Sequence, residues 1–386
     1  MRRIPVIAFA SVVLCALAAP AHAGTGWTTP QKIDPKPGRD INLSDGGKTA
    51  VWIRAGTDTG TGPVRWNYRV GKGVWKTSKA LPMTSGVSDV QIDAYATLAL
   101  MRTPVEWQAS TRVGTTWSMP VAVGLPATAE TVTMSRTGTL IAFVDSAGST
   151  PPPAGLPCTV KAMTRNADGT WAAPVVIGST PRQGYGCAQN VALSADGSTL
   201  AWLDTGYSLN VSRLVGGVWT SGPAVFVPGY DLYYLALSSD GNRVLWQYST
   251  EDDTYTQTFS AGAWTPAVSV TSSGAIRPVA SADAQTFAFD SENGFETYWF
   301  SGSAWKQVVL TSGNLRTSNA VSNTVVASAQ QKTVSSSPLR VSVLSGAAWT
   351  KPVQVAKSAI NPAVSTNGKS LVWMSRAKKA LYAVRR

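Results

Sequence analysis

Histidine is all but missing: the one copy, His22, lies within the first 23 residues, so a chain cut after Ala23 has no imidazole. That excludes a Ser-His-Asp triad, a Cys-His pair, a zincin and a histidine-dependent lyase. Cysteine is scarce, with three copies, and a metal centre built on them would lack partners. Beyond the amino terminus no stretch approaches the roughly 20 apolar residues that a bilayer span needs, so no transmembrane segment is expected. Acidic residues are the minority charge, 21 against 33 basic.

The amino terminus itself is distinctive. Arg2 and Arg3 precede an apolar run from Ile4 to Ala19, which ends in Ala21, His22 and Ala23. This is the anatomy of a secretory signal with a small-x-small cleavage site, which predicts a signal peptide over 1–23 and one mature domain over 24–386, secreted or periplasmic. A lipoprotein reading would use Cys15, but Leu14 stands where such sites want a small residue. Without Arg2 and Arg3 the basic count falls from 33 to 31 against 21 acids, a balance of +10. The charge is spread along the chain and no nucleic-acid motif accompanies it, so solubility or attraction to acidic glycans and envelope polymers is expected rather than nucleic-acid binding. With Cys15 removed, Cys158 and Cys187 form an even pair, and in an oxidising compartment a disulfide is expected. In the loop-entropy account such a bridge contributes about 3–4 kcal/mol.

What the chain has in abundance is a repeat. A tryptophan after a small-residue turn recurs at Trp27, Trp75, Trp117, Trp171, Trp219, Trp264, Trp305 and Trp349, at intervals of 41 to 54 residues, the length of a propeller blade. Most copies are followed by proline two to four residues on. Between tryptophans lie alternating apolar residues, then Ser-x-Asp-Gly, then a strand ending in an aromatic. Ser194, Asp196, Gly197 and Trp202 give the clearest copy. Others are Ser44, Asp45, Gly46 and Trp52; Ser238, Asp240, Gly241 and Trp246; Ser281, Asp283 and Phe289; and Ser365, Asn367, Gly368 and Trp373. Weaker copies surround Ser135 and Phe143, and Asp93 and Leu100. The poorest lies near Val321 to Val326, leaving seven blades as the alternative to eight over 319–345.

Each unit parses as four antiparallel strands, with the Asp-Gly pair as a tight turn. The aspartates cap their own turns; scattered singly, they cannot supply the six to eight oxygens calcium prefers, so no metal is expected. The last unit lacks a tryptophan strand and Gly24 to Thr29 supplies one, so the fold class expected is an all-β propeller of eight four-stranded blades, the last closed by the amino-terminal strand. Recurrent indoles then fill blade interfaces.

The turn motif resembles the WD40-like repeats of the TolB type, whose blades carry Ser-Pro-Asp-Gly before an apolar strand ending in an aromatic. Ala195, Ser239 and Ala282 stand where that family prefers proline. The extra amino-terminal domain of TolB has no counterpart before Trp27, so the resemblance implies a fold and not a trafficking role.

In such blades the Asp-Gly and glycine turns share one face and the longer, varied connections share the other, where binding residues are expected. Cys158 and Cys187 fall on the varied face. So do Arg54, Arg102 and Arg376, read as following the second strands of blades one, two and eight, and Asp145 and Asp204, read in the same place in blades three and four. Glu251, Asp252, Asp253 and Glu292 extend the acidic sector. Solvated ions and interblade salt bridges are the plain explanation; a groove with one basic and one acidic wall is the functional one. Tyrosines gather in the same loops: Tyr185, Tyr207, and Tyr230, Tyr233 and Tyr234 around Asp231. Their rings suit sugar stacking and protein contacts alike.

Three functions compete. A non-enzymatic binding propeller would take a glycan or an envelope or extracellular protein on its varied face, as a monomer and without a cofactor. A carbohydrate-active enzyme would clamp an acidic sugar with Arg54, Arg102 and Arg376, with Asp204 or Glu251 as acid, yet the Ser-x-Asp-x-Gly-x-x-Trp box of sialidases is not matched because Gly197 follows Asp196 directly. A quinoprotein-like dehydrogenase would need a longer Ala-x-Asp-x-x-x-Gly-Lys-x-x-Trp pattern, which is absent.

Overall fold

The computed structural model describes residues 26–386 apart from 55–60, 72–73, 83, 127, 147–157, 181–189, 204–207, 223–224, 227–231, 249–252, 272–275, 292–293, 303, 313–316, 331–336, 347 and 376. The period-2 patterning produces eight antiparallel four-stranded sheets arranged as the blades of a ring. Their innermost strands are, in chain order, Gly38–Leu43, Asp89–Ile92, Ala129–Met134, Val191–Leu193, Leu232–Leu237, Ile276–Ala280, Thr317–Val321 and Ile360–Val364. We number the blades one to eight in that order. The degenerate unit is an intact blade seven: Thr317–Val321 pairs with Val325–Gln330 in unbroken register.

The core is divided among the interfaces. Eight buried clusters each join two neighbouring blades; Trp27, Trp75, Trp117 and Trp349 each belong to one, and the half-buried Trp171, Trp219, Trp264 and Trp305 each pack against one. Trp117 of blade two packs with Val51 and Trp66 of blade one; Trp75 of blade one packs with Val372 and Leu381 of blade eight. Every such indole therefore faces back toward the preceding blade. The second-strand aromatics Trp52, Phe143, Trp246, Phe289 and Trp373 are buried in the same clusters. Close approach matters here: an added Cβ at Gly178 would sit 2.5 Å from Cζ2 of Trp202 in the next blade.

Closure comes from the amino terminus, with a difference in detail from the sequence expectation. The strand that pairs with Ala380–Arg385 is Gln31–Asp34, whereas Trp27 precedes it as a wedge against Val341 and Trp373. Pro30 lies between them and, lacking an N–H, cannot continue a ladder. Prolines likewise follow Trp117, Trp171, Trp264 and Trp349, and the outer strand breaks there into two pieces. Trp305 has no such proline, and its strand runs uninterrupted over Trp305–Ser312.

The short turns are capped as the motif requires. Ser194 Oγ accepts the N–H of Thr199 at 2.9 Å and donates to Asp196 Oδ1 at 2.7 Å, and Asp196 Oδ1 accepts the N–H of Ser198. Ser238 with Asp240, Ser281 with Asp283 and Ser365 with Asn367 repeat the arrangement. In blade two, Asp93 replaces the serine and takes the N–H of Leu98. Blade one corrects the sequence reading by one position. Gly47, not Gly46, has the positive φ and donates to the carbonyl of Ser44, as Gly197 does to Ser194. Asp45 is therefore a tip residue equivalent to Ala195, and not a turn cap.

Two expected outcomes follow from this packing. Truncation of Trp75, 5 % exposed, to alanine should cost about 3–5 kcal/mol in urea unfolding, whereas Val121→Ala on the perimeter should stay within about 0.5 kcal/mol; equal effects would contradict the wedge role. The second concerns Tyr234, whose hydroxyl accepts the N–H of Ala280 in the next blade at 2.9 Å and is pushed by burial up to about 12. This phenol keeps its proton to higher pH in the folded chain than in the unfolded one, where tyrosine titrates near about 10. Its contribution is complete below that value and is lost as pH rises toward about 12. Tyr234→Phe should flatten the fall in stability over that window, and an unchanged slope would refute the assignment.

Candidate functional site

Ladder register places the terminal rung of the inner strand pair on one face. Arg54 lies opposite Gly38, Arg102 opposite Asp89 and Asp145 opposite Ala129, so these three share the varied-loop end of blades one, two and three. In blade eight, Met374 stands opposite Ile360 as Ile53 does opposite Arg39, which puts buried Ser375, and not Arg376, at the rung of Arg54. Arg376, Tyr185, Tyr207, Tyr230, Asp204, Asp231, Glu251, Asp252, Glu292 and Cys187 lie outside the described residues. Tyr233 is placed in the inner strand of blade five. Cys158 is buried at the head of the third strand of blade three.

The described charges on this face are largely engaged within the protein. The Nη2 of Arg54 lies 2.9 and 3.0 Å from the two carboxylate oxygens of Asp34, which is fully buried. Asp34 also accepts from Ser78 Oγ and from the N–H of Lys36. Arg65 donates to the carbonyl and hydroxyl of Ser78 beside this pair; burial, and then the charge of Arg54, lower its pKa. Since Asp34 belongs to the closing strand and Arg54 to blade one, the pair fastens the seam. Asp145 is held by Lys161 Nζ and Thr128 Oγ1, each at 2.5 Å. Arg102 is exposed, with Asp89 across the ladder.

Two features had escaped the sequence reading. Asp40, on the inner strand of blade one, adopts φ 47 within a bulge, and Thr131 and Asn361 do the same in blades three and eight. Burial holds the Asp40 carboxyl above its ordinary range, with Arg39 opposing and Asp89 adding to the shift. The second lies at the opposite end of the axis. Turn tips there are tied blade to blade by backbone bonds, Asp45 N–H to Ala94 O, Ala94 N–H to Arg136 O, and Ala195 N–H to Ser239 O. Inside this ring of tips Arg136 reaches from blade three to the Asp45 carboxylate of blade one and to Thr366 Oγ1 of blade eight at 3.0 Å. Thr366 Oγ1 itself donates to Asp45 Oδ1 at 2.7 Å. Only the tip position within Ser-x-Asp-Gly could have flagged these residues.

A tyrosine–glutamate pair of the kind a sugar hydrolase uses does occur. Tyr298 OH donates to Glu296 Oε2 at 3.4 Å, and Gln307 Nε2 donates to the same oxygen. However, Glu296 is fully buried and the Tyr298 ring stacks against Phe287 and Phe289. Burial and the Glu296 charge push its hydroxyl up to about 12, the opposite of what a nucleophile requires.

The seam pair gives a direct expectation. Arg54→Ala leaves a buried carboxylate without its cation and should cost about 3 kcal/mol, while Arg102→Ala should stay within about 0.5 kcal/mol. Urea unfolding of the two variants decides this, and equal costs would exclude a seam role for Arg54.

No protein-family model matches the chain, and no curated protein matches it. Among solved structures, a functionally unknown protein from Desulfotomaculum acetoxidans DSM 771 is similar at 15% identity, covering 70% of this chain and 84% of its own, with a TM-score of 0.45. KlHsv2 with loop 6CD replaced by a Gly-Ser linker is similar at 10% identity over 83% of this chain and 100% of its own, with a TM-score of 0.51. The β-propeller domain of Myceliophteria thermophila Cps50 (Swd1) is similar at 10% identity over 92% of this chain and 98% of its own, also with a TM-score of 0.51. At such identities the likeness is one of architecture, and what the chain shares with the last two structures is the β-propeller.

Proposed function

We propose that this chain is an exported, non-enzymatic binding propeller that recognises a glycan or a protein through the face carrying its varied loops. The observation that supports this reading is the contrast between the two faces. First-to-second-strand turns are nearly uniform, as at 44–48, 135–139, 194–198 and 365–369, and their side chains are consumed in caps. Second-to-third-strand connections range from 292–293 in blade six to 146–157 in blade three. A rigid scaffold with uniform turns on one side and unequal loops on the other is built for recognition by the loops.

Within this reading the signal over 1–23 is removed near Ala23, Cys158 is bridged to Cys187, and the repeats are distant kin of the TolB type. Tyr185, Tyr207, Tyr230, Tyr233, Asp204, Asp231, Arg102 and Arg376 are the residues to test, with Arg54 serving the seam instead. The enzymatic alternative draws no support from Arg54, whose guanidinium is already engaged by Asp34.

An array of envelope polysaccharide fragments and glycans, run beside pull-downs from culture fluid, should yield a ligand whose affinity falls about tenfold on Tyr207→Ala or Tyr230→Ala. Empty arrays together with empty pull-downs would sink the binding reading. Mass spectrometry of the exported chain should show a new amino terminus at Gly24 and, without reductant, a peptide linking Cys158 to Cys187.

A further inference from the structure

We propose that the seam between blades eight and one carries, on the turn side of the molecule, a docking stripe for a linear acidic polysaccharide. The repeat supplies its own comparison. In every blade an N–H at the end of the third strand donates to the carbonyl of the last residue of the inner hairpin turn. In blades one and eight both residues are cations: Arg69 bonds to Lys48 at 2.8 Å and Arg386 to Lys369 at 2.9 Å. Blades two and three keep arginine at the strand end but have threonine in the turn, Arg112 with Thr97 and Arg165 with Thr139. Blades four to seven have no charge at either position, where Leu214 meets Ser198, Phe259 meets Asn242, Phe300 meets Gln285 and Leu344 meets Thr324. The fold therefore does not require these cations, and two adjacent blades depart from the repeat in the same way.

The charges meet across the seam. Ser370 Oγ of blade eight donates to the carbonyl of Gly47 in blade one at 3.0 Å, so their immediate sequence neighbours, Lys369 and Lys48, flank the joint. Arg385, next to Arg386, lies close enough to Arg69 that its charge, after burial, lowers the Arg69 pKa. Lys48, Lys369 and Arg386 are exposed, and Arg69 and Arg385 are half-buried. Among the described residues no ion pair ties any of the five to a carboxylate. Of the acids in the neighbouring turns, Asp45 is held by Arg136 and Thr366, and buried Asp93 caps its own turn. A carboxylate ending the chain at Arg386 would offset one of the five. Like charges gathered without partners repel one another, and a bound anion removes that cost.

The layout of the charges selects the partner. They follow the seam outward, from the hairpin turns to the ends of the third strands, so a chain of spaced anions meets them along its length, whereas a single ion reaches only one or two. The guanidinium fork matches a planar carboxylate. Tyr95, 74 % exposed in the adjoining turn of blade two, adds a ring for the C–H face of a sugar. Its carbonyl accepts Arg112 Nη2 at 3.1 Å, and Arg112 Nη1 donates to Thr49 Oγ1, next to Lys48, also at 3.1 Å, which ties this turn to the stripe. A polymer of uronic acids combines both features, a carboxylate on every unit and an apolar sugar face. The preference for a sugar polymer over a nucleic acid rests on export of the chain. The stripe itself lies on the face opposite the varied loops.

The test is calorimetric titration of the mature chain with hexagalacturonate, beside neutral cellohexaose and single-stranded hexathymidylate, at low and high salt. Hexagalacturonate should bind, more weakly as salt screens the charges, and Lys48→Gln combined with Lys369→Gln should lower its affinity about tenfold. Lys306→Gln combined with Lys351→Gln removes the same charge from exposed positions of blades six and seven and should leave the affinity unchanged. All four lysines are exposed, so both double variants should melt with the parent chain. Tyr207→Ala and Tyr230→Ala should leave this binding intact, which separates a failure of the loop-face reading from a failure of this one. Absence of hexagalacturonate binding, equal losses from the two lysine pairs, equally tight binding of cellohexaose, or tighter binding of hexathymidylate would overturn the proposal.

Discussion

Each blade is a sheet with two apolar faces, and neither can be covered except by another blade. That single requirement forces a ring, because any open row would leave two faces in water. The recurrent indoles answer it: each fills the cleft toward the preceding blade, and eight clusters account for eight clefts. The weak point is where the chain ends meet, and several devices converge there. Gln31 exchanges side-chain hydrogen bonds with both backbone groups of Trp75, Asp34 binds Arg54 at one end of the seam, and Asp45 joins Thr366 and Arg136 at the other.

The wedge indoles act through shape. Nε1 of Trp52, Trp117, Trp202, Trp246 and Trp349 is buried without an acceptor among the described residues, and Phe143 and Phe289 hold equivalent second-strand positions in blades three and six. Area and fit are therefore what the interface selects, since a buried donor left unpaired is a cost accepted for packing. Perimeter strands face the opposite problem, an open edge that invites another chain. Proline at positions 120, 174, 266 and 352 interrupts those of blades two, three, five and seven, a common protection of exposed edges; blade six, with Trp305–Ser312 unbroken, lacks it.

The blade count and the position of the core were legible because both depend on local signals repeated at fixed intervals: a large apolar filler per cleft and a capped turn per inner hairpin. Details set by partners distant in sequence were not. Ser44-Asp45-Gly46-Gly47 satisfies the turn motif in two registers, and only the conformation of Gly47 chooses between them. The role of Asp34 depends on Arg54 in a different blade, and no short window of sequence links the two. Likewise Arg102, Arg54 and Asp145 were placed on the correct face by strand parity, but parity says nothing about whether a charge is spent inside the protein. Tyr298 and Glu296 make the same point in reverse: they sit two residues apart in the chain, and it is the stacked phenyl rings around them that exclude them from chemistry.

The Arg136 side chain ties blade three to Asp45 of blade one and to Thr366 of blade eight, neither of which is its neighbour in the ring. Contacts between adjacent blades fix only the angle of each joint, whereas a strut that skips a blade fixes the distance across several joints at once. The turn end near the chain closure is therefore braced as a unit and not joint by joint.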